Sequence, residues 1–396
     1  MLAGPWCADI LGDQGADVIK IEVPGKGDHV RSLRHSSGGL PSMFVNINRS
    51  KRSLELNLKH DDGAAVFLDL IKTADIVIQN FRPGVVDRLG IGYDAAQAAN
   101  PAIIYLSLSG FGERGPYAHK RVYDPVVQAL SGLTTIQAGS DEERPRLIRT
   151  VLPDKLTAIT AAQAATSALV ARSLTGTGQH IRLSMLDSIV AFLWASDMGG
   201  QTFIDAPATA QEAASFRDLI YETKSGYMTV AVMSNVEWQA LCRAVDRPQW
   251  LDDERFQTPA GRDEHVNARL TMTQEVLMER TADEWLEIFD RHDVPAAPAL
   301  TRDAMIEHPQ IRASELLVEL RHPEAGRLRQ PRPPARFEGT PPAPPRGAPG
   351  LGAHTDEVLG ELGYEAGRIA ALRGAGVIGP DHRRTAAPDP TAASVG

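Results

Sequence analysis

The sequence predicts an α/β protein: a Rossmann-like parallel sheet forms a large domain, and a smaller α+β domain follows. Three observations carry this. Across residues 1–200 short apolar strands alternate with helical stretches, the pattern of a parallel sheet covered on both faces. Around Tyr221–Val232 the pattern turns to alternating side chains on either side of Lys224-Ser225-Gly226, a hairpin that opens a second domain over 215–325. Residues 331–350 then carry Pro331, Pro333, Pro334, Pro341, Pro342, Pro344, Pro345 and Pro349, an extended stretch that cannot enter a sheet interior.

Taken in order, the chain opens on a helix with Pro5 in its first turn and a stop at Gly15. Strands follow at 17–23, 52–58, 75–79, 102–109 and 179–185. Asp75–Gln79 runs into the turn Asn80-Phe81-Arg82-Pro83-Gly84, and Ser107-Leu108-Ser109 closes at Gly110-Phe111-Gly112. A long Ala-rich helix spans about Asp154 to Leu174, with Pro153 before it and small side chains from Thr157 to Ala165 that permit close packing. Past the Pro-rich stretch, His354–Gly363 and Tyr364–Gly374 read as helices, and the tail 379–396 as disordered.

Composition narrows the function classes. At 396 residues the chain is long enough for two or three domains. A net charge of −9 argues against nucleic acid as the main partner, though it leaves room for a local phosphate site. Cys7 and Cys242 are too few for a disulfide scaffold and lack metal-ligand spacing, so buried, inert thiols are expected and no metal site is read. The best apolar run, Ile189–Ala195, is far below membrane-spanning length, and no export signal stands at the N-terminus, which makes the cytoplasm the expected compartment. Gly25-Lys26-Gly27-Asp28 lacks the spacing of a dinucleotide fingerprint, and there is no Walker loop. A nucleotide-dependent oxidoreductase therefore has no motif to stand on.

Asp154, at the mouth of the Ala-rich helix, has two readings. It is a suitable N-cap, because a carboxylate accepts the free N–H groups of a first turn. The second reading comes from its company: Leu2-Ala3-Gly4-Pro5-Trp6-Cys7, Leu11–Glu22, Asn48–Leu56, Asp75–Gly84, Ser107–Gly112, Val151–Ala158 and Gly176–Asp187. In this order and spacing the chain closely resembles the family III CoA-transferases, the CaiB/BaiF family that includes formyl-CoA transferase and alpha-methylacyl-CoA racemase, over roughly residues 1–378.

That resemblance implies a CoA-transferase in which Asp154 attacks an acyl-CoA thioester, giving an acyl-aspartyl anhydride and then an aspartyl-CoA thioester, with CoA ending on a new carboxylic acid. A helix N-terminus would supply positive potential for the carboxylate and for the oxyanions beside it. By the same resemblance CoA lies against Leu2 and Ala3, along Leu56 and Lys59, past Asn80 and Phe81, and near Arg88 and Arg121. Each basic residue taken alone reads first as a solvated surface side chain. Val23 departs from relatives that carry Arg there to touch the nucleotide.

CoA thioesters enter as substrates, and no tightly bound cofactor is implied. The fold implied is a ring-shaped chain forming an interlocked homodimer, with the Pro-rich segment, over 331–378, returning to the large domain.

Racemases of the family place a His before an Asp as the base; here the pair is Tyr123-Asp124, and Tyr is about four pH units too basic for that role. Tyr123 can instead line the acyl pocket, or serve as a packing residue. Racemases also carry a supporting Glu where Ser234 stands. A racemase-like isomerase and a catalytically silent CoA-binding relative remain as alternatives. Relatives carry a further strand ahead of the Ala3-Gly4-Pro5 turn; without it, neighbouring strands would bear unpaired backbone groups, so a start assigned too late is expected.

Overall fold

A computed structural model describes residues 1–34, 36–205 and 219–381. The chain forms two compact units, one built from 1–131, 148–195 and the segment from Leu316 onward, the other from 132–147 and 196–315.

In the larger unit, helix α1 (Ala3–Asp13) leads into strand β1 (Val18–Glu22), which pairs in parallel with β2 (Lys51–Glu55). Helix α2 (Asp61–Ile71) starts where the His60 side chain accepts the Asp62 N–H, and it buries Val66, Phe67, Leu70 and Ile71 at helical spacing. Strand β3 (Ile76–Gln79), helix α3 (Tyr93–Ala99), strand β4 (Ile104–Ser109) and helix α4 (Asp124–Leu130) come next. The 24-residue helix α5 (Leu152–Thr175) ends at Gly176, whose left-handed φ of 72° closes the last turn. Strand β5 (Gln179–Ser184) follows directly and runs into α6 (Met185–Trp194).

The predicted strands all form, but as two parallel sheets, β1-β2 and β3-β4-β5, where a single sheet was expected. Both sheets still share one core, in which Leu54, Val77 and Tyr105 pack with Ile19, Ile21 and the C-terminal residues Val358, Leu359 and Val377. On the other face of β4, Leu106 and Leu108 meet Ala3, Cys7 and Leu11 of α1 and Ala158, Ala161, Ala162 and Ala165 of α5. The alanines explain why α1 and α5 lie close: a stripe without side-chain bulk lets two helices approach.

The start of α1 is tied down by Lys51, whose Nζ donates to the Pro5 carbonyl at 2.6 Å, the Ile47 carbonyl at 2.7 Å and Asn48 Oδ1 at 3.0 Å. Nearby Asp9 is 1% exposed and neither of its carboxylate oxygens has a hydrogen-bond partner, with Arg49 Nε 3.8 Å away.

The return to the larger unit begins at Leu316, earlier than the expected 331. The antiparallel hairpin Leu317–His322/Gly326–Pro331 belongs with it, because Gln330 Nε2 donates to the Val45 carbonyl at 3.0 Å and Arg49 Nη1 to the Pro331 carbonyl at 2.7 Å. Helices Thr355–Glu361 and Ala366–Gly374 complete the unit. Of the expected tail, 382–396 lie outside the described residues, while the Gly379 carbonyl accepts from Arg373 Nε at 3.1 Å.

The smaller unit contains a three-stranded antiparallel sheet in the order Ala296–Pro298, Tyr227–Val230, Ile220–Glu222, over a core of Trp238, Trp250, Phe256, Trp285 and Phe289. The residues expected to open it, from 215, lie outside the described residues up to 218. It also takes in 132–147, which the sequence placed in the large domain. Two of its helices, Asn235–Ala244 and Ala282–Arg291, open on capping boxes, Ser234 with Glu237 and Thr281 with Glu284. Ser234 is thus a helix cap. Cys7 and Cys242 are both fully buried, and burial pushes each thiol up to about 12.

Candidate active site

Asp154 is not the cap of its helix. Helix α5 begins at Leu152, its N-cap Val151 makes no side-chain cap bond, and Asp154 is the third helical residue. Pro153 accounts for the shift, since it has no N–H to satisfy and suits the first turn. The carboxylate is therefore free for other partners. Its Oδ1 accepts the Ala3 N–H at 3.2 Å, from the first residue of α1. Its own backbone N–H donates to Asp124 Oδ2 at 3.1 Å. Asp124 in turn is 3% exposed, and its Oδ1 accepts from Gln128 Nε2 at 2.6 Å. Gln128 also accepts the Ile148 N–H at 2.9 Å and donates to the Thr150 carbonyl at 3.2 Å, which clamps the chain entering α5.

The carboxylate faces a cavity of about 300 Å³ at the C-terminal ends of β3 and β4. Ligands in open α/β sheets bind at that end of the strands. Phe81, Leu108, Phe111 and Met185 give the cavity apolar walls, and Arg82, Lys120 and Arg121 give it exposed cations. Burial raises the Asp154 carboxyl above the ordinary Asp value and Asp124 adds to the rise, against the Ala3 N–H, which lowers it. The group is thus partly desolvated yet reachable from the cavity.

Of the residues singled out in the sequence, Ala3, Asn80, Phe81, Arg121, Tyr123 and Asp154 come together on this cavity. Tyr123 lines it at 67% exposure, as the residue before α4. Leu2 is buried one residue away, its carbonyl accepting from the Trp6 N–H. Leu56 is a correction: at 1% exposure it sits inside the core beside Leu54 and Val66 and presents no side chain to a ligand. Lys59 and Arg88 are exposed and lie outside the cavity lining, as does exposed Val23. Sequence reasoning missed Arg82 and Lys120, and it weighed Asp124 only as half of a base pair. The Asp124/Gln128 spacing of i, i+4 on one helix was the available signal.

The model of CoA-transferase family III matches residues 1–355. The chain belongs to that family. It is 33% identical over 391 residues to an acyl-CoA transferase of Fusarium pseudograminearum, covering 96% of this chain and 86% of that protein. It is 30% identical to the succinyl-CoA:glutarate CoA-transferase of Homo sapiens, over 96% of this chain and 87% of that protein. Among solved structures, a CaiB/BaiF family protein from Brucella suis superposes with a TM-score of 0.78 at 28% identity, covering 91% of this chain and 96% of that one. The protein is a family III CoA-transferase, a family consistent with CoA thioester substrates.

Proposed function

We propose that the enzyme moves CoA from an acyl-CoA donor to a carboxylic acid acceptor by covalent catalysis at Asp154. The observation that supports this is the Asp154 carboxylate, half-buried, at the cavity wall and held by the Ala3 N–H at 3.2 Å. In the first step the carboxylate attacks the thioester carbonyl, the C–S bond breaks, and CoA leaves as thiolate from an acyl-aspartyl anhydride. The thiolate then attacks the aspartyl carbonyl, releasing the donor's acid and leaving an aspartyl-CoA thioester. An acceptor carboxylate repeats the two steps in reverse and departs as its CoA ester. Each tetrahedral intermediate bears an oxyanion, and the N–H at the start of α1 is the donor nearest to hand.

In this scheme Asn80 and Phe81 flank the pantetheine arm, Arg121 and Tyr123 line the acyl end, and Lys59 and Arg88 meet the phosphates. Lys120 and Arg82, also on the cavity, attract the acceptor carboxylate. The relatives' printed names, which pair CoA with glutarate and oxalate, favour a dicarboxylic acid among the acceptors. Steady-state exchange with succinyl-CoA against a panel of mono- and dicarboxylic acids tests this; transfer only to monocarboxylates contradicts it. Two buried thiols without disulfides suit the cytoplasm.

The resemblance further implies an interlocked homodimer. Purified tagged and untagged protein should then form no mixed dimers on mixing, because interlocked chains exchange only by unfolding. Rapid appearance of mixed dimers contradicts the ring topology.

A further inference from the structure

A polar row crosses the large unit's three-stranded sheet beneath the cavity wall. The Phe81 N–H donates to Gln79 Oε1 at 2.8 Å, which fixes the amide's orientation. Gln79 Nε2 then donates to Ser107 Oγ at 2.9 Å, and Ser107 Oγ lies 2.8 Å from His180 Nε2. The row spans β3, β4 and β5, and the parallel register that sets Gln79 beside Ser107 and Tyr105 beside His180 brings the three side chains to one face. At its far end the His180 ring stacks on Tyr93, centroids 4.6 Å apart, and meets Tyr105 edge-on at 5.4 Å. Ser107 Oγ, which accepts from Gln79, keeps a second lone pair and one proton, so it pairs with His180 Nε2 in either neutral tautomer, while His180 Nδ1 is buried without a hydrogen-bond partner among the described residues.

This row ends on the loop that walls the cavity. Phe81 is 45% exposed, so packing covers only part of it and its backbone hydrogen bond to Gln79 helps to set its position. On the other side the loop leans on α1: a Cβ added at Gly4 would stand 3.3 Å from Asn80 Cγ, which leaves room for glycine and little more. We propose that Gln79, Ser107 and His180 are positioning residues for the CoA thioester, holding Asn80 and Phe81 in the place where they flank its pantetheine arm. The proposal rests on the reading that those two residues contact CoA.

Charge around the ring gives the row a pH signature. Arg182 on the same strand, Glu113 after β4, Asp87 in the short helix Val85–Arg88 and Asp94 in α3 are the charges that act on His180. Burial, then Arg182, hold its pKa below the ordinary value, against the three acids. When His180 takes a proton, both ring nitrogens carry hydrogen and Nε2 can only donate to Ser107 Oγ. The hydroxyl proton then has no acceptor in the row.

Calorimetric binding of free coenzyme A tests this. Ser107→Ala and His180→Phe should each weaken the Kd about fivefold, the size of one lost hydrogen bond, while Ser107→Thr keeps the wild-type Kd. His180→Phe preserves the aromatic stack. The wild-type Kd should weaken as pH falls through the range where His180 titrates, and this dependence should vanish in His180→Phe; a role confined to packing would leave it in place. Unchanged binding in Ser107→Ala, or the same pH dependence in His180→Phe, overturns the proposal. Phe81→Ala separates the two levels. If it weakens CoA while the row variants do not, the row alone is wrong; if it binds CoA as the wild type does, the reading of Phe81 falls and the row falls with it.

Discussion

Asp154→Asn should lose CoA exchange by about 10⁴-fold or more, the scale seen when a covalent nucleophile is removed, with little change in fold stability. The amide keeps an oxygen for the Ala3 N–H that Asp154 Oδ1 now accepts at 3.2 Å, and it keeps the backbone N–H that Asp124 holds at 3.1 Å. What it lacks is a lone pair basic enough to attack a thioester. Asp154→Ala removes the oxygen as well and should cost about 1 kcal/mol of stability in addition. The pH profile carries a second signature. Because burial raises the Asp154 carboxyl above its ordinary value, falling pH protonates the nucleophile early. The acid limb of kcat/KM should therefore sit above the ordinary Asp value of about 3.9. Steady-state exchange kinetics from pH 4 upward, roughly the range spanning such a shift, check both; near-wild-type exchange in Asp154→Asn contradicts covalent catalysis.

The second large effect concerns Lys51, at the base of α1. Lys51→Met should destabilise the protein by about 3 kcal/mol, because it strips a donor from three acceptors and leaves Asp9 buried with less compensation. Removing both members, as Lys51→Met with Asp9→Asn, should cost less than removing Lys51 alone. Burial pulls the Lys51 ammonium down from 10.5 to about 7. The unfolded chain then binds more protons than the folded one between those values, so the Lys51 contribution to stability rises with pH across that window. Burial raises Asp9 from 3.8 to about 7, so its contribution falls as pH rises through that lower window. Urea unfolding of wild type and variants at pH 5, 7 and 9, chosen roughly to sample both windows, measures the difference. A Lys51→Met protein as stable as wild type at every pH contradicts this account of the cluster.

Much of this architecture was legible because parallel strands announce themselves as short apolar runs between helices, and β4, buried along nearly its whole length, is the plainest. The place of Asp154 in the first turn of α5 was legible too, although its cap role was not real: Pro153 looks alike as the residue before a helix and as the second residue within one. Leu56, 1% exposed, lies one residue past β2, every residue of which is buried, so no alternation marked which side chains there face outward. The break between the β1-β2 and β3-β4-β5 sheets leaves no local trace, since each strand's pattern is the same whether or not its far edge is paired. The row of Gln79, Ser107 and His180 was out of reach for a related reason. It exists only through the register of three strands, its successive members lying 28 and 73 residues apart along the chain. Asp124 and Gln128 were within reach, because their spacing on one helix turn needs no tertiary knowledge.

The most direct test of the covalent account is to trap the intermediate. The enzyme is incubated with succinyl-CoA and hydroxylamine, digested, and mapped by mass spectrometry. Hydroxylamine attacks the aspartyl carbonyl of the anhydride or of the aspartyl-CoA thioester, releasing the acid or the CoA thiol and leaving a hydroxamate on the protein. The expected result is a hydroxamate on Asp154 that requires succinyl-CoA and is missing from Asp154→Asn. Exchange that proceeds in the same samples with Asp154 unmodified, or with the hydroxamate on another carboxylate, contradicts the proposed mechanism.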